Sequence, residues 1–350
     1  MSASTAEPTA SARAHSRHIF WNFPANVLRY YAMNLPRRQF LFITAAAISA
    51  AITPAPAAVN HLPLATTFKN ADYFHRIMTK ARTEGWARLP IGPRMAMIGR
   101  ECIGIPYVGY TLEIDDRIEN PSANFDGLDC WTFFEITLGM ARLLERPRAV
   151  YTPEDLLREI QWTRYRAGSC TGNYLERIHY LNEWFIDNEA RGNVKDITRS
   201  LGGAIRLKGR ESREMTVLWK GYRYLKKNPS LRPQMARIEA KVNTLPVWYI
   251  PKAGVSKIES RLANGDIAGI VTKSQGGVCS HVGLITMVNG AARFMHASKN
   301  HRWVVLDQTI SQYLNAFGSH AGLIIARPLA TDRSVTSRAS YEANLRALGA

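Results

Sequence analysis

The sequence predicts an α+β fold, with helices first and an antiparallel sheet after them. One observation is a stripe at helical period: Cys130, Phe133, Phe134, Thr137, Leu138, Ala141 and Leu144 recur at the spacing of one helix face. Another is the change of pattern after Val247 to short β-rich runs at 267–272, 282–287, 292–297, 304–306 and 322–327. The third is Asn289-Gly290 between two of those runs, the strongest short signal for a hairpin with a type I′ turn. Helical segments followed by a run of hairpin-linked strands make an α+β plan.

Taken in order, residues 1–58 differ in kind from the rest. Arg37-Arg38 leads into an Ala-rich apolar run and then Pro54-Ala-Pro-Ala-Ala58, the layout of a twin-arginine export signal with a small-residue cleavage site. Met33 would bring the arginine pair close to the start of the chain, so Met33 is the expected initiator and 1–32 an extension. The apolar run is shorter than the roughly 20 residues of a membrane span, and a membrane association arises only if the signal stays uncleaved. The expected location is therefore periplasmic or otherwise extracytoplasmic. Residues 59–94 form a helical lead-in, 95–330 one folded domain and 331–350 a polar tail.

Within that domain, 71–100 carries helical spacing punctuated by Gly85 and Pro90, and 105–113 is a loop that delivers Tyr107. Asp129 is a helix N-cap, able to accept from an orphan N–H one turn on, and Cys130 begins the helix it opens. Thr152-Pro153 starts another helix, with Glu154 and Asp155 where the dipole favours acids. An aromatic-rich helix is expected over 177–188, with His179 on it, and a further one over 216–227, with Pro229 and Pro233 as breakers beyond its end.

The formal net charge is +17; residues 1–58 hold five Arg and one Glu, which is +4, leaving +13 for the remainder. Twelve Lys/Arg against three Glu lie in 199–241. A basic exported chain is drawn to anionic polymers, and this segment is either a surface for them or an ordinary solvated face. Trp219, Tyr222 and Tyr224 interleave with the charges, as in nucleic-acid binders, but no nucleic-acid module accompanies them and no nucleic-acid partner is expected.

The chemistry is read from Cys130 and a histidine pair. A thiol at a helix start sits in the positive field of the first turn, which favours the thiolate. Taken alone, such a cysteine reads as a small buried hydrophobe. The two-residue turn at Asn289-Gly290, however, sets Val288 opposite Ala291, Ile285 opposite Phe294 and Gly283 opposite His296. His281 shares a strand face with Gly283, so His281 and His296 become diagonal neighbours. A cysteine with two such histidines is what a thiol nucleophile needs: one imidazole takes the thiol proton and the second orients the first.

Gly104-Ile-Pro-Tyr107, Asp129-Cys130, Asn264-Gly-Asp266, Ser280-His-Val-Gly283 and Phe294-Met-His-Ala-Ser298 resemble, in order, the blocks of the NlpC-type papain-like cysteine hydrolases. Within that superfamily the chain is most similar to the bacterial N-acetylmuramoyl-L-alanine amidase-like family, over roughly residues 95–328. The resemblance implies a papain-like fold and an enzyme that cuts an amide bond of peptidoglycan, either the muramoyl–L-alanine bond or one within the stem peptide. It implies Cys130 as nucleophile, His281 as base and His296 as the orienting third member. Tyr107 would line the site and help hold the oxyanion, Asp129 and Ser280 beside the catalytic pair would also serve the substrate or oxyanion, and Arg177 or His179 would line the groove. No cofactor or metal is implied. The competing reading from another class is a wall-binding protein that kept the fold without catalysis.

Cys102, Cys170 and Cys279 leave room for one disulfide, and Cys170–Cys279 is the expected bridge, with three unpaired thiols as the alternative. A zinc-dependent hydrolase using Cys279, His281, His296 and His301 is the lesser alternative, since their spacing is not a recognised zinc pattern. Asp266 fits a turn or capping role. His301 and His320 have no partner legible in the sequence.

Overall fold

Capping chemistry decides where the helices of the computed structural model begin; it describes residues 61–330 and 337–350, so the signal expected over 1–58 lies outside the described residues. Helix α1 (Ala71–Thr83) starts after Asn70, whose side chain accepts the Tyr73 N–H, and α2 (Ile91–Glu101) follows Pro90. Helix α3 (Cys130–Leu143) opens on a reciprocal box in which Asp129 Oδ1 accepts the Thr132 N–H at 2.7 Å and Thr132 Oγ1 accepts the Asp129 N–H at 3.0 Å. Helix α4 (Pro153–Arg164) opens on the same device at Thr152 and Asp155.

The apolar stripe of α3 is buried, and so is its other side. Glu135 there meets Arg164 of α4, Nε to Oε2 at 2.7 Å with both side chains fully buried, and its second oxygen accepts Trp184 Nε1 at 3.1 Å. Trp184 belongs to α5 (Leu181–Ala190). A helix wrapped on all sides needs its polar groups paired internally, and this pairing lets α3 run through the centre of the helical layer.

The sheet is antiparallel throughout. Its strands are β1 (Val194–Asp196), β2 (Ile205–Arg206), β3 (Trp248–Pro251), β4 (Ile267–Thr272), β5 (Cys279–Val288), β6 (Ala291–Ser298), β7 (Trp303–Thr309) and β8 (His320–Pro328). They lie in the order β2-β3-β8-β4-β5-β6-β7, with β1 also paired to β8. The mixed helix and antiparallel-sheet class expected from the sequence is therefore present. Asn289 and Gly290 both take positive φ, 50° and 77°, and the register Val288–Ala291, Ile285–Phe294 follows as the turn requires.

Two cores flank the sheet. Val282, Leu284, Met295, Ala297 and Ile324 face α2 and α3, whereas Ile285, Phe294, Leu323 and Ile325 face a short helix, α6 (Ile310–Asn315), with Tyr313 and Leu314. A third cluster, around Tyr174, Tyr180, Met215, Tyr224 and Met235, ties the 207–246 segment to the wall beside α5.

Several local expectations are revised. Residues 177–180 are extended and α5 begins at Leu181, because Arg177 is pulled into buried ion pairs with Glu113 and Glu119 at 3.3 and 3.6 Å. The 216–227 helix is broken into single turns at Glu214–Val217 and Arg223–Lys227, with a 3-10 turn over Gly221 between them. Pro233 does not break a helix but sits in the first turn of Arg232–Thr244, where its missing N–H costs nothing. The tail is helical over Arg338–Leu348, and Tyr341 donates to Asp187 at 2.5 Å. The expected Cys170–Cys279 bridge is absent: both thiols are free, and Cys170 is turned away to donate to the Glu119 carbonyl at 3.6 Å.

The interleaved aromatics of the basic segment are turned inward. Trp219 lies between Arg232 and Lys220, Tyr222 donates to Glu214, and Tyr224 stacks on Tyr174 at 4.3 Å. Among the described residues, no helix is long and apolar enough to cross a membrane.

Candidate active site

The site lies where the β5–β6 ladder ends. Paired residues run from Val288 and Ala291 back to Leu284 and Met295, and beyond that point the strands part. Ile285 N–H bonds Asp266 on the β4 side, and N–H directions alternate along a strand, so Val282 N–H points toward β6. Beyond the ladder that N–H, together with those of Cys130 and Trp131 at the start of α3, pulls the Cys130 thiol toward the thiolate. Gly283 keeps the notch narrow: a Cβ there would come within 2.7 Å of the Met295 carbonyl and of the Phe294 ring.

Burial, and then the Asp129 carboxylate, push the half-buried Cys130 thiol up to about 12 against the pull of those three N–H groups. The helix-start field expected to favour the thiolate is thus outweighed, and the resting group is a thiol.

His281 and His296 share a strand face, as the turn register requires. His281 Nε2 lies 2.7 Å from His296 Nδ1, and the rings meet edge to face. Phe294 stacks on His296 at 4.6 Å and Tyr313 closes the far side. Burial holds His281 well below 6.5, helped by His296 and His320, and burial also lowers His296 in spite of a carboxylate at its other nitrogen. That carboxylate is Asp307, whose Oδ2 is 3.3 Å from His296 Nε2.

Cys130 sits between two adjoining hollows of about 410 and 470 Å³. Cys279, Ser280, His281, Asn182 and Glu214 line the first; Tyr107, Tyr110, Asp129, Arg177 and Lys299 line the second; Trp131, His179, Met215 and Tyr222 border both. Cys130 and His281 thus face one space, and the pull toward the thiolate comes from backbone N–H groups rather than from an imidazole.

The other expected site residues fall into place unequally. The Tyr107 hydroxyl is pushed up to about 12 first by burial, with its neighbours Cys130 and Asp129 adding to the rise, so it remains a donor facing the groove. Asp129 is occupied as cap, with its second oxygen accepting from Thr111 at 3.2 Å. Ser280 is exposed at the groove mouth. Arg177 is buried beneath the wall, stacked on Tyr174 and paired with Glu113 and Glu119. His179, expected on a helix, lies on extended chain, its Nε2 3.3 Å from the Tyr174 carbonyl.

Asp307 escaped the sequence reading, and His301, which had no legible partner, lies 3.4 Å from the same oxygen. Asp266 does serve a turn, accepting Ala263 N–H at 2.8 Å, and it also takes a two-pronged contact from Arg327. As for a metal, the 2.7 Å between His281 and His296 nitrogens is a hydrogen bond, whereas two ligands of one zinc each need about 2.0–2.1 Å to the ion. Among the described residues no three His, Cys, Asp or Glu side chains converge on a common point.

Comparison with known proteins gives consistent findings. The model of the N-acetylmuramoyl-L-alanine amidase-like family matches residues 97–323. Among solved structures, an N-acetylmuramoyl-L-alanine amidase from Bacteroides uniformis is 26% identical with a TM-score of 0.61, over 68% of this chain and 99% of that one. A Bacteroides fragilis protein described as a xylanase candidate is 31% identical with a TM-score of 0.58, over 65% and 98%. A Legionella pneumophila protein at 21% identity and TM-score 0.56 shares the fold, over 74% and 94%. No curated protein matches.

Proposed function

Because the chain belongs to the N-acetylmuramoyl-L-alanine amidase-like family, we propose that it is an exported cysteine hydrolase, of the NlpC-type papain-like kind, that cleaves an amide bond of peptidoglycan. The observation that carries this reading is the Cys130 sulfur at a helix start, sharing a groove with a His281 that is neutral and already hydrogen-bonded to His296.

In this reading His281 accepts the Cys130 proton as the sulfur attacks the carbonyl carbon, and the carbonyl electrons move onto its oxygen. The Cys130 backbone N–H and the Tyr107 hydroxyl hold that oxyanion. Collapse of the adduct expels the amine, which takes the proton back from His281, and water then opens the thioester. Catalytic contacts are commonly longer in a free enzyme than in its complex, so substrate closes the remaining separation between sulfur and imidazole. No step calls for a metal or organic cofactor. The hollows on either side of Cys130 suit a substrate that continues in both directions from the scissile bond, as a glycan-linked peptide does. The basic 199–241 segment adds attraction to anionic wall polymers.

The xylanase description of one neighbour finds no support in the groove. A glycosidase needs two available carboxyl groups, whereas Asp129 caps α3, Glu113 holds Arg177 and Tyr174, and Glu214 accepts from Tyr222.

Digestion of purified peptidoglycan, with mass spectrometry of the new ends, tests the reading. Release of free amino ends that survives EDTA and is lost to thiol alkylation is expected. The reverse pattern would return Cys279, His281, His296 and His301 to a zinc mechanism. The pH profile gives a second check. Protonated His281 cannot accept the thiol proton, so kcat/KM is lost as pH falls through a pKa lying below 6.5, and is level from there through neutrality. An acid-limb midpoint above 7 contradicts the neutral-imidazole starting state.

A further inference from the structure

The cysteine mechanism needs one particular nitrogen of His281 to be free of hydrogen, and the side chains behind the imidazole pair determine which one. The Asp307 carboxyl is held down to about 2, first by its hydrogen bond from His296, so it is a carboxylate at working pH and can only accept. Its Oδ1 takes the Gln308 N–H at 2.7 Å, and Arg293 Nε fixes the same residue through its carbonyl at 2.7 Å. Oδ2 is thereby aimed at His296 Nε2, which must carry hydrogen to make the 3.3 Å contact.

His296 is buried and neutral, so with Nε2 protonated its Nδ1 is bare. The atom 2.7 Å from that bare nitrogen is His281 Nε2, which must therefore be the donor. His281 is neutral too, and its hydrogen is now assigned, so Nδ1 is left empty. The remaining groups around the pair do not reverse this order. Tyr313 and Phe294 offer ring faces, the Ala297 carbonyl favours hydrogen on His296, and His320 lies beyond Tyr313. His301 reaches the same Asp307 oxygen at 3.4 Å but is half exposed, which weakens its claim.

We infer that Asp307 is a positioning residue that sets the tautomers of His296 and His281 in sequence, leaving His281 Nδ1 bare to receive the Cys130 proton. The inference rests on the reading of Cys130 as nucleophile. No bond to Asp307 is made or broken: the proton moves from sulfur to His281 Nδ1 and onward to the leaving amine, while the two hydrogens behind it stay in place.

The test is long-range proton–nitrogen NMR of the full chain labelled with 15N-histidine. Both imidazoles are expected as Nε2–H tautomers in the unmodified protein, and an Nδ1–H His296 overturns the inference whether or not any variant folds. Asp307→Ala should mix the tautomers and lower kcat by roughly 10- to 100-fold with KM within about 3-fold, a smaller loss than that of a wrong tautomer in the base itself. His301→Gln should alter kcat by less than about 3-fold. Unchanged kcat in Asp307→Ala overturns the inference and leaves the nucleophile reading standing. Turnover retained by Cys130→Ala removes that reading, irrespective of the tautomers.

Discussion

Cys130→Ala is expected to lower amide hydrolysis by a factor on the order of 1,000 or more, because it removes the thiol that opens α3 while Cys279, the other thiol lining the groove, lies on β5 without that helix start. The fold should hardly notice. The lost sulfur is half-buried at the end of α3, and Asp129 and Thr132 still close the cap without it. Thermal unfolding should therefore shift by only a few degrees, in line with about 1 kcal/mol or less. The measurement is turnover on peptidoglycan fragments together with a melting curve. Substantial residual turnover in a folded Cys130→Ala protein would falsify the thiol mechanism.

Arg164→Met should have the largest effect on stability. It removes one partner of an ion pair in which both side chains are fully buried and leaves Glu135 with a single donor, Trp184 Nε1. Breaking such a pair costs about 3–5 kcal/mol, since a charge remains in a low-dielectric interior. The loss has a sign in pH. Burial already raises the Glu135 carboxyl, and Arg164 is the largest opposing influence, so removing it raises the carboxyl further. The folded variant then holds a proton that the unfolded chain releases above about pH 4.3, and stability falls as pH rises. Denaturant unfolding should show a larger deficit at pH 8 than at pH 5. Equal deficits at both would mean that Glu135 keeps its charge without Arg164.

What could be read in the sequence is what local rules control. The Asp129 cap, the α3 stripe and the Asn289-Gly290 register each depend on residues a few positions apart, and all are present in the structure. Asp307 was out of reach for a definable reason. The β6–β7 register shifts between Arg293 and Met295, so counting across from His296 does not lead to the residue that meets it. Residues 177–180 were misread as helix because their conformation is imposed by Glu113 and Glu119, more than fifty positions away. The state of the Cys130 thiol was misjudged for a similar cause. The first-turn field can be seen in sequence, while the burial that overrides it depends on how β5, α3 and the groove walls come together.

The place of β8 within the sheet has a consequence for the order of synthesis. It is the last strand of the sheet to leave the ribosome, yet it lies between β3 and β4 and also pairs with β1. Until it arrives, β4 has only the β5 hairpin on one side, and no strand pairing among the described residues joins that hairpin to β3 or β1. A growing chain can form the β5–β6 turn early, but it cannot lock that turn against the rest of the sheet. The groove that holds Cys130 and His281 therefore becomes rigid only after nearly all the described strands have been made.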